Sequence, residues 1–191
     1  MPFQLPSLLY DIPRSLPWAI GLPILLGSLN GKITQKNVKT WYPTLKQPPP
    51  GPPPRWVFPV VWTSLYAGMG WAAHLAVRAL DTSPHAVVRR AASNALALWY
   101  AQFALNMAWT PLFFGAKKTG LASIDIVGLW GTVAACMIEM AKVDHRTVYV
   151  FVPYLCWLFY ASYLNIGVWY LNGGNKKIDK YTQDGKQKKQ Q

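Results

Sequence analysis

Charge is scarce in this chain of 191 residues: only 14% of positions are Asp, Glu, Lys or Arg, and only seven are acidic. A soluble domain of ordinary composition carries about 25%, so a water-facing globule is a poor fit. Cysteine is nearly absent too. Cys136 and Cys156 each sit inside an apolar stretch, with no CxxC or Cys/His spacing of the zinc type. Both read as small, reduced core residues, which excludes a disulfide framework. The three histidines, His74, His85 and His145, form no ligand pattern. Neither a phosphate-binding glycine loop nor a Ser/His/Asp arrangement is present, which argues against conventional hydrolysis or phosphoryl transfer and leaves no metal site to propose.

What the chain has instead is apolar length and tryptophan. Hydrophobic residues make up 52% of it, and ten are Trp. Crossing a bilayer takes about 20 mostly apolar helical residues. Residues 56–77, 91–114, 121–140 and 148–171 meet that requirement, and 91–114 and 148–171 contain no Asp, Glu, Lys or Arg at all. A fifth stretch, 15–33, is apolar through Leu29 but holds Pro17 and Pro23, the second of which should kink a helix. Its rival reading is a signal peptide with Arg14 as a thin positive region. The expectation is an all-α integral membrane bundle of five spans over residues 1–175, with a basic, disordered tail at 176–191.

Net charge is +12, which raises the question of nucleic acid. The basic residues, however, lie between and after apolar runs rather than along an amphipathic surface, so membrane lipid is the expected partner and nucleic acid is not. With five spans, six Lys and Arg fall on one side and 13 on the other. The richer side holds the 34–55 loop and the C-terminal tail, which the positive-inside rule places in the cytosol. That loop contains Gln47-Pro-Pro-Pro-Gly-Pro-Pro-Pro-Arg55, a run that must adopt stiff polyproline geometry. It reads as a rigid spacer or partner ligand, or as a lid over one mouth of the bundle involving Trp41, Pro48, Trp56 and Phe58.

Helical spacing singles out candidate interior residues. Gln102, Asn106, Trp109 and Phe113 share a face, and amides inside a membrane span are costly unless they point into the bundle. Whether those amides bind a ligand or merely join helices stays open at this stage. Pro59, Trp62, Tyr66, Met69 and Ala73 repeat the spacing, as do Tyr154, Trp157, Ala161, Leu164 and Val168, and Leu121, Asp125, Gly128 and Thr132. Asp125 lies one turn into its span, where a carboxylate suits the positive helix end. Trp56, Trp71, Trp99, Trp130 and Trp169 read as interface belt residues. Ser93, Ala97 and Ala101 form a small-residue ladder suited to tight helix packing or a dimer seam. Inward indoles can stack on a planar ring, and oxidative photochemistry on a bound pigment remains open.

These residues resemble the translocator protein family, also known as peripheral-type benzodiazepine receptors or tryptophan-rich sensory proteins. The matching stretches are Trp41-Tyr42 with Leu45-Lys46-Gln47-Pro48, PPRWVFPVVWTSLYAGMG ending at Gly70, QFALNMAWTPLFFGAKKTGLASID from Gln102 to Asp125, and VPYLCWLFYASYLNIGVW from Val152 to Trp169. The resemblance implies a five-helix bundle, commonly a homodimer, that binds porphyrins such as haem and protoporphyrin, sterols and drug-like molecules, with no obligatory cofactor. It places ligand contacts at Trp62, Asn106, Trp109, Trp157, Ala161 and Leu164, and light-dependent porphyrin degradation, a catalytic role, at positions matching Trp62 and Trp157. It also implies the mitochondrial outer membrane, with the endoplasmic reticulum as the alternative. Two departures stand out. Leu121 replaces a pocket Trp of animal relatives, and Leu164-Asn165-Ile166-Gly167-Val168-Trp169-Tyr170 lacks the Tyr and Arg of the family's cholesterol motif.

Overall fold

The computed structural model describes residues 6–45, 47–175 and 178–179, and among these residues the only regular structure is helical. Five long helices, α2 (Leu16–Thr40), α3 (Val57–Thr82), α4 (Ala86–Thr110), α5 (Thr119–Val143) and α6 (Val148–Leu171), follow a short α1 (Ser7–Arg14). By length and composition, α5 and the stretch from His145 to Leu171 are long and apolar enough to cross a membrane, and the α1/α2 pair makes a third candidate joined at a 105° bend. The long helices α3 and α4 fall short of that measure although 57–77 and 91–110 contain no Asp, Glu, Lys or Arg; Trp, Tyr, Gly and His74 in the first and the amides Asn94, Gln102 and Asn106 in the second lower their apolar character.

Small residues let the long helices approach. A Cβ added at Gly70 of α3 would lie 2.1 Å from the Ala19 carbonyl oxygen of α2, and one at Gly27 would lie 2.0 Å from the Tyr66 ring. Ala92 and Ala95 of α4 are fully buried against α5, where the Cys136 thiol points to the Ala95 carbonyl at 3.7 Å. The main core gathers Leu65, Met69, Ala72, Ala76, Leu96, Ile126, Leu129, Val133, Phe151, Tyr154 and Leu158. A second cluster joins Trp41 and Leu45 to Phe113, Phe114, Ala122, Val168 and Ile178.

Several boundaries differ from the sequence reading for identifiable reasons. The helix expected over 15–33 continues to Thr40, because Lys32 to Thr40 contains no helix breaker and its lysines can project into water. The α-helix expected to run to Phe114 ends at Thr110. Pro111 cannot donate a backbone N–H, and the chain widens into a π turn over Pro111–Gly115 closed by Ala116 N–H donating to the Pro111 carbonyl (2.7 Å). The expected tail from 176 onward lies outside the described residues, except that Ile178 and Asp179 are helical and Ile178 is buried.

The α1 helix was not expected. Its eight residues are too few to span anything, and Arg14 closes its last turn. It is fastened to the bundle by polar contacts: Arg14 donates Nε and Nη2 to the two oxygens of Asp81 (2.9 and 3.0 Å) and also pairs with Asp11. Tyr100 donates its hydroxyl to the Leu9 carbonyl (2.6 Å), and the His74 ring meets the Pro13 carbonyl at 2.8 Å.

Candidate functional site

The centre of the bundle is built from four polar side chains that face one another across three helices. Tyr66 of α3 donates to Asn106 Oδ1 (2.8 Å), Asn106 Nδ2 donates to the Tyr154 hydroxyl (2.9 Å), and Tyr154 donates to Gln102 Oε1 (3.0 Å). Gln102 Nε2 ends the chain 3.5 Å from Met69 Sδ. All four are buried. Each bond runs in one direction, so every group is satisfied without water, as a low-dielectric interior requires.

Aromatic rings surround this chain. Trp62 stacks on Tyr66 with centroids 5.6 Å apart and meets Tyr154 edge-on at 6.2 Å. Trp109 is oriented at both ends: its ring stacks on Phe113 at 4.9 Å and its N–H donates to Asn165 Oδ1 (2.9 Å). Asn165 in turn donates to the Thr119 carbonyl and to Ser123 Oγ at the start of α5. Trp157 packs edge-on against Phe58 at 5.6 Å and lies 5.8 Å from Tyr160. Its Nε1 is buried without a hydrogen-bond partner. Trp62, Trp109 and Trp157 are each half-buried and pack on the main core, as does Ala161. The three indoles are not in ring contact with one another: the first flanks the polar chain, the second faces the second cluster, and the third faces a cleft between α3 and α6.

The remaining candidates divide. Leu164 is half-buried on α6, and Asp125 is half-buried on α5 with Oδ2 enclosed and unpaired. The stripe of Leu121, Asp125, Gly128 and Thr132 does not face the core. Leu121 is 51% exposed, Gly128 is exposed, and the buried line is Ala122, Ile126, Leu129, Val133, Cys136 and Met140. Because α5 is apolar all round, spacing alone could not choose between neighbouring stripes. Trp99 is a second correction. It is 5% exposed, stacks on Phe103 at 5.1 Å and donates to the Met69 carbonyl (2.9 Å), so it is a core residue and not a belt residue. Of the small-residue ladder, Ser93 is buried but Ala101 is exposed. Asn165 was missed, although the rule that singled out Gln102 and Asn106 applies equally to an amide inside the apolar run of α6.

The lid residues also separate. Trp41 is buried, edge-on to Phe113 (5.8 Å) and Phe114 (6.3 Å), and Phe58 is half-buried on Trp157, whereas Pro48 is exposed and Trp56 is 67% exposed. The polyproline run lies along α6. Asn172 holds both backbone groups of Gln47, donating to its carbonyl (2.8 Å) and accepting from its N–H (3.2 Å). Tyr163 donates to the Pro50 carbonyl (3.0 Å), Tyr160 donates to the Gly51 carbonyl (2.8 Å), and buried Pro49 packs where Gly167 leaves room. Close by, burial, with a smaller contribution from Tyr160, raises the Tyr42 hydroxyl above the usual phenol value.

Residues 19–171 match the TspO/MBR family. The chain is 37% identical over 159 residues to the translocator protein of Bos taurus, an alignment covering 80% of this chain and 90% of that protein. It is 38% identical over 160 residues to the tryptophan-rich sensory protein of Cereibacter sphaeroides, covering 83% and 94%. It is 38% identical over 138 residues to protein CrtK of Rhodobacter capsulatus, covering 72% and 82%.

Proposed function

This chain belongs to the TspO/MBR family, and from that premise we propose that it is a receptor or translocator that binds a flat tetrapyrrole, such as protoporphyrin or haem, among its helices, with sterols as secondary ligands. Proteins of this family are integral membrane proteins, and the apolar helices here agree. The five long helices have 24 to 26 residues each, enough at about 1.5 Å per residue to cross a hydrocarbon core of about 30 Å. Five spans, a homodimer, a cytosolic Pro-rich run and the mitochondrial outer membrane complete the reading. The endoplasmic reticulum is the alternative site.

The observation that carries the proposal is the setting of Trp62. It is half-buried and stacked on a tyrosine whose hydroxyl is fixed by Asn106, so its ring is positioned before any ligand arrives. Preorganised aromatic rings bind planar molecules with little loss of side-chain entropy. Trp109, fixed by Phe113 and Asn165, is set in the same way. Quenching of tryptophan emission by protoporphyrin in detergent tests this. Saturable quenching is expected, with Kd raised about tenfold in Trp62→Ala, which corresponds to about 1.4 kcal/mol. Emission unchanged at saturating pigment would remove the proposal.

A second reading, light-dependent breakdown of bound porphyrin, is favoured by the neighbours of Trp62: two tyrosine rings lie within 6.2 Å of an indole that is itself easily oxidised. It requires that illumination bleach bound protoporphyrin and that Trp62→Phe with Trp157→Phe stop the bleaching in a folded bundle. Equal bleaching in both proteins leaves binding alone.

A further inference from the structure

The two ends of the bundle handle their charge differently. At the α1 end, Arg14 pairs with Asp11 and Asp81, Lys142 with Glu139, and Arg146 with Asp144. The other end is the strapped one: residues 47–51 form a strap that Asn172, Tyr163 and Tyr160 hold along α6. There Lys118 reaches Asp179 at 3.9 Å, and among the described residues no carboxylate pairs with Lys32, Lys36 or Lys39 of α2.

Those three lysines are exposed and follow one another at helical steps of four and three, so they form one stripe. The other side of the same turns, Ile33 and Val38, packs on the cluster of Trp41, Phe113 and Phe114. The stripe is therefore fixed on the outside of the bundle. Continued toward the start of α2 at the same spacing, it runs through Leu29, Leu25 and Trp18, which are 49%, 55% and 65% exposed. One face of one helix is thus apolar for most of its length and cationic at its end.

Depth fits the charge. An exposed Trp near a helix start suits a membrane interface, which makes Trp18 a marker for the far side. At about 1.5 Å per residue, Lys36 and Lys39 lie about 27 and 32 Å farther along, which is one hydrocarbon thickness of about 30 Å. Lys32, about 21 Å along, gains the same level by extending its side chain. The helix macrodipole accounts for a lysine in the last turn only, and that is Lys39. Lys32 and Lys36 stand behind it, and like charges four residues apart on a helix repel. An anion seated among the three removes that repulsion.

We propose that this face of α2 docks an anionic glycerophospholipid, its head-group phosphate among Lys32, Lys36 and Lys39 and its acyl chains along Leu29 and Leu25. The inference needs the chain to span a bilayer and is independent of what the bundle binds inside. It also gives the lipid a structural consequence, because the turns it grips are those that carry Trp41 toward the strap.

The test uses the full chain in detergent, titrated with dioleoyl phosphatidylserine or dioleoyl phosphatidylcholine and read by native mass spectrometry as lipid retained. Phosphatidylserine should bind at least tenfold more tightly. A lysine near an anionic lipid contributes about fivefold, so Lys36→Gln with Lys39→Gln should cut the preference at least fivefold. Arg78→Gln with Arg90→Gln removes the same charge from exposed positions at the α1 end, on two different helices, and should leave the preference within twofold of the unaltered protein. Lys36→Arg with Lys39→Arg keeps the charge and should keep the preference. Equal affinity of the unaltered protein for the two lipids would overturn the inference and leave an acidic protein as the alternative occupant. Equal losses in the two Gln proteins would also overturn it, since net charge and not the stripe would then set the preference. Loss in the Arg protein would do the same by tracing the effect to helix packing.

Discussion

Tyr154 joins two amides through a single hydroxyl, accepting from Asn106 and donating to Gln102, while Tyr66 makes only one bond in the same chain. Removing a partner so that a buried polar group is left unpaired costs about 1–3 kcal/mol. Tyr154→Phe should therefore lower the thermal midpoint in detergent clearly more than Tyr66→Phe, and equal effects would show that the chain is not energetically coupled. At Gly70 a methyl would meet the backbone oxygen of Ala19 rather than a movable side chain. Gly70→Ala should cost about 1–3 kcal/mol through displaced packing, read as the same midpoint shift. Much of this was legible in the sequence. Gln102 and Asn106 announce themselves because amides in an apolar span must point inward, and they carry Trp109 and Phe113 with them. Trp99 was misread as interfacial although it precedes Gln102 by three residues, because a Trp near the middle of a run carries no mark that separates a belt position from a core one.

At the scale of elements, two fastenings can be undone separately. Asp81 is held below its ordinary value of 3.8, first by the hydrogen bond from Arg14 and then by its charge, against an opposing effect of desolvation. A carboxyl depressed in the folded state stabilises above its unfolded value and loses that contribution as pH falls through the folded value. Amide exchange in α1, taken relative to the intrinsic rate at each pH, should therefore stay slow from neutral pH down to about 4 and quicken below it. In Arg14→Ala the fast exchange should already be present at pH 7, and identical profiles in the two proteins would contradict the latch. The strap behaves differently, since the bonds that hold it, from Asn172, Tyr163 and Tyr160, join neutral groups. Asn172→Ala removes both bonds to Gln47, so tryptic cleavage between Arg55 and Trp56 should rise at least severalfold without a change in the exchange of α1. Four of the long helices were evident from apolar runs, but α1 was not, because eight residues fastened by Arg14, Tyr100 and His74 depend on tertiary partners that no local pattern encodes. The π turn was likewise hidden: Pro111 announces a break, but not that the chain would widen there.

For the molecule as a whole, family membership and the half-buried indoles point to one arrangement: a bundle whose interior is polar at its centre and aromatic around it, strapped at one mouth and cleft at one flank. The sequence conveyed the class of this architecture through scarce charge and repeated apolar length, but not the cleft, whose two walls, Val60 to Leu65 of α3 and Pro153 to Trp157 of α6, are distant in the chain. In the proposed function, Trp62, Trp109 and Trp157 border the ligand. Photo-crosslinking with a diazirine-bearing protoporphyrin, followed by peptide mapping, tests it most directly. Saturable labelling, competed by unlabelled protoporphyrin, is expected on the segments of α3, α4 and α6 that contain those residues. Labelling confined to outward residues such as Trp56 and Trp130, undiminished by competitor, would contradict it.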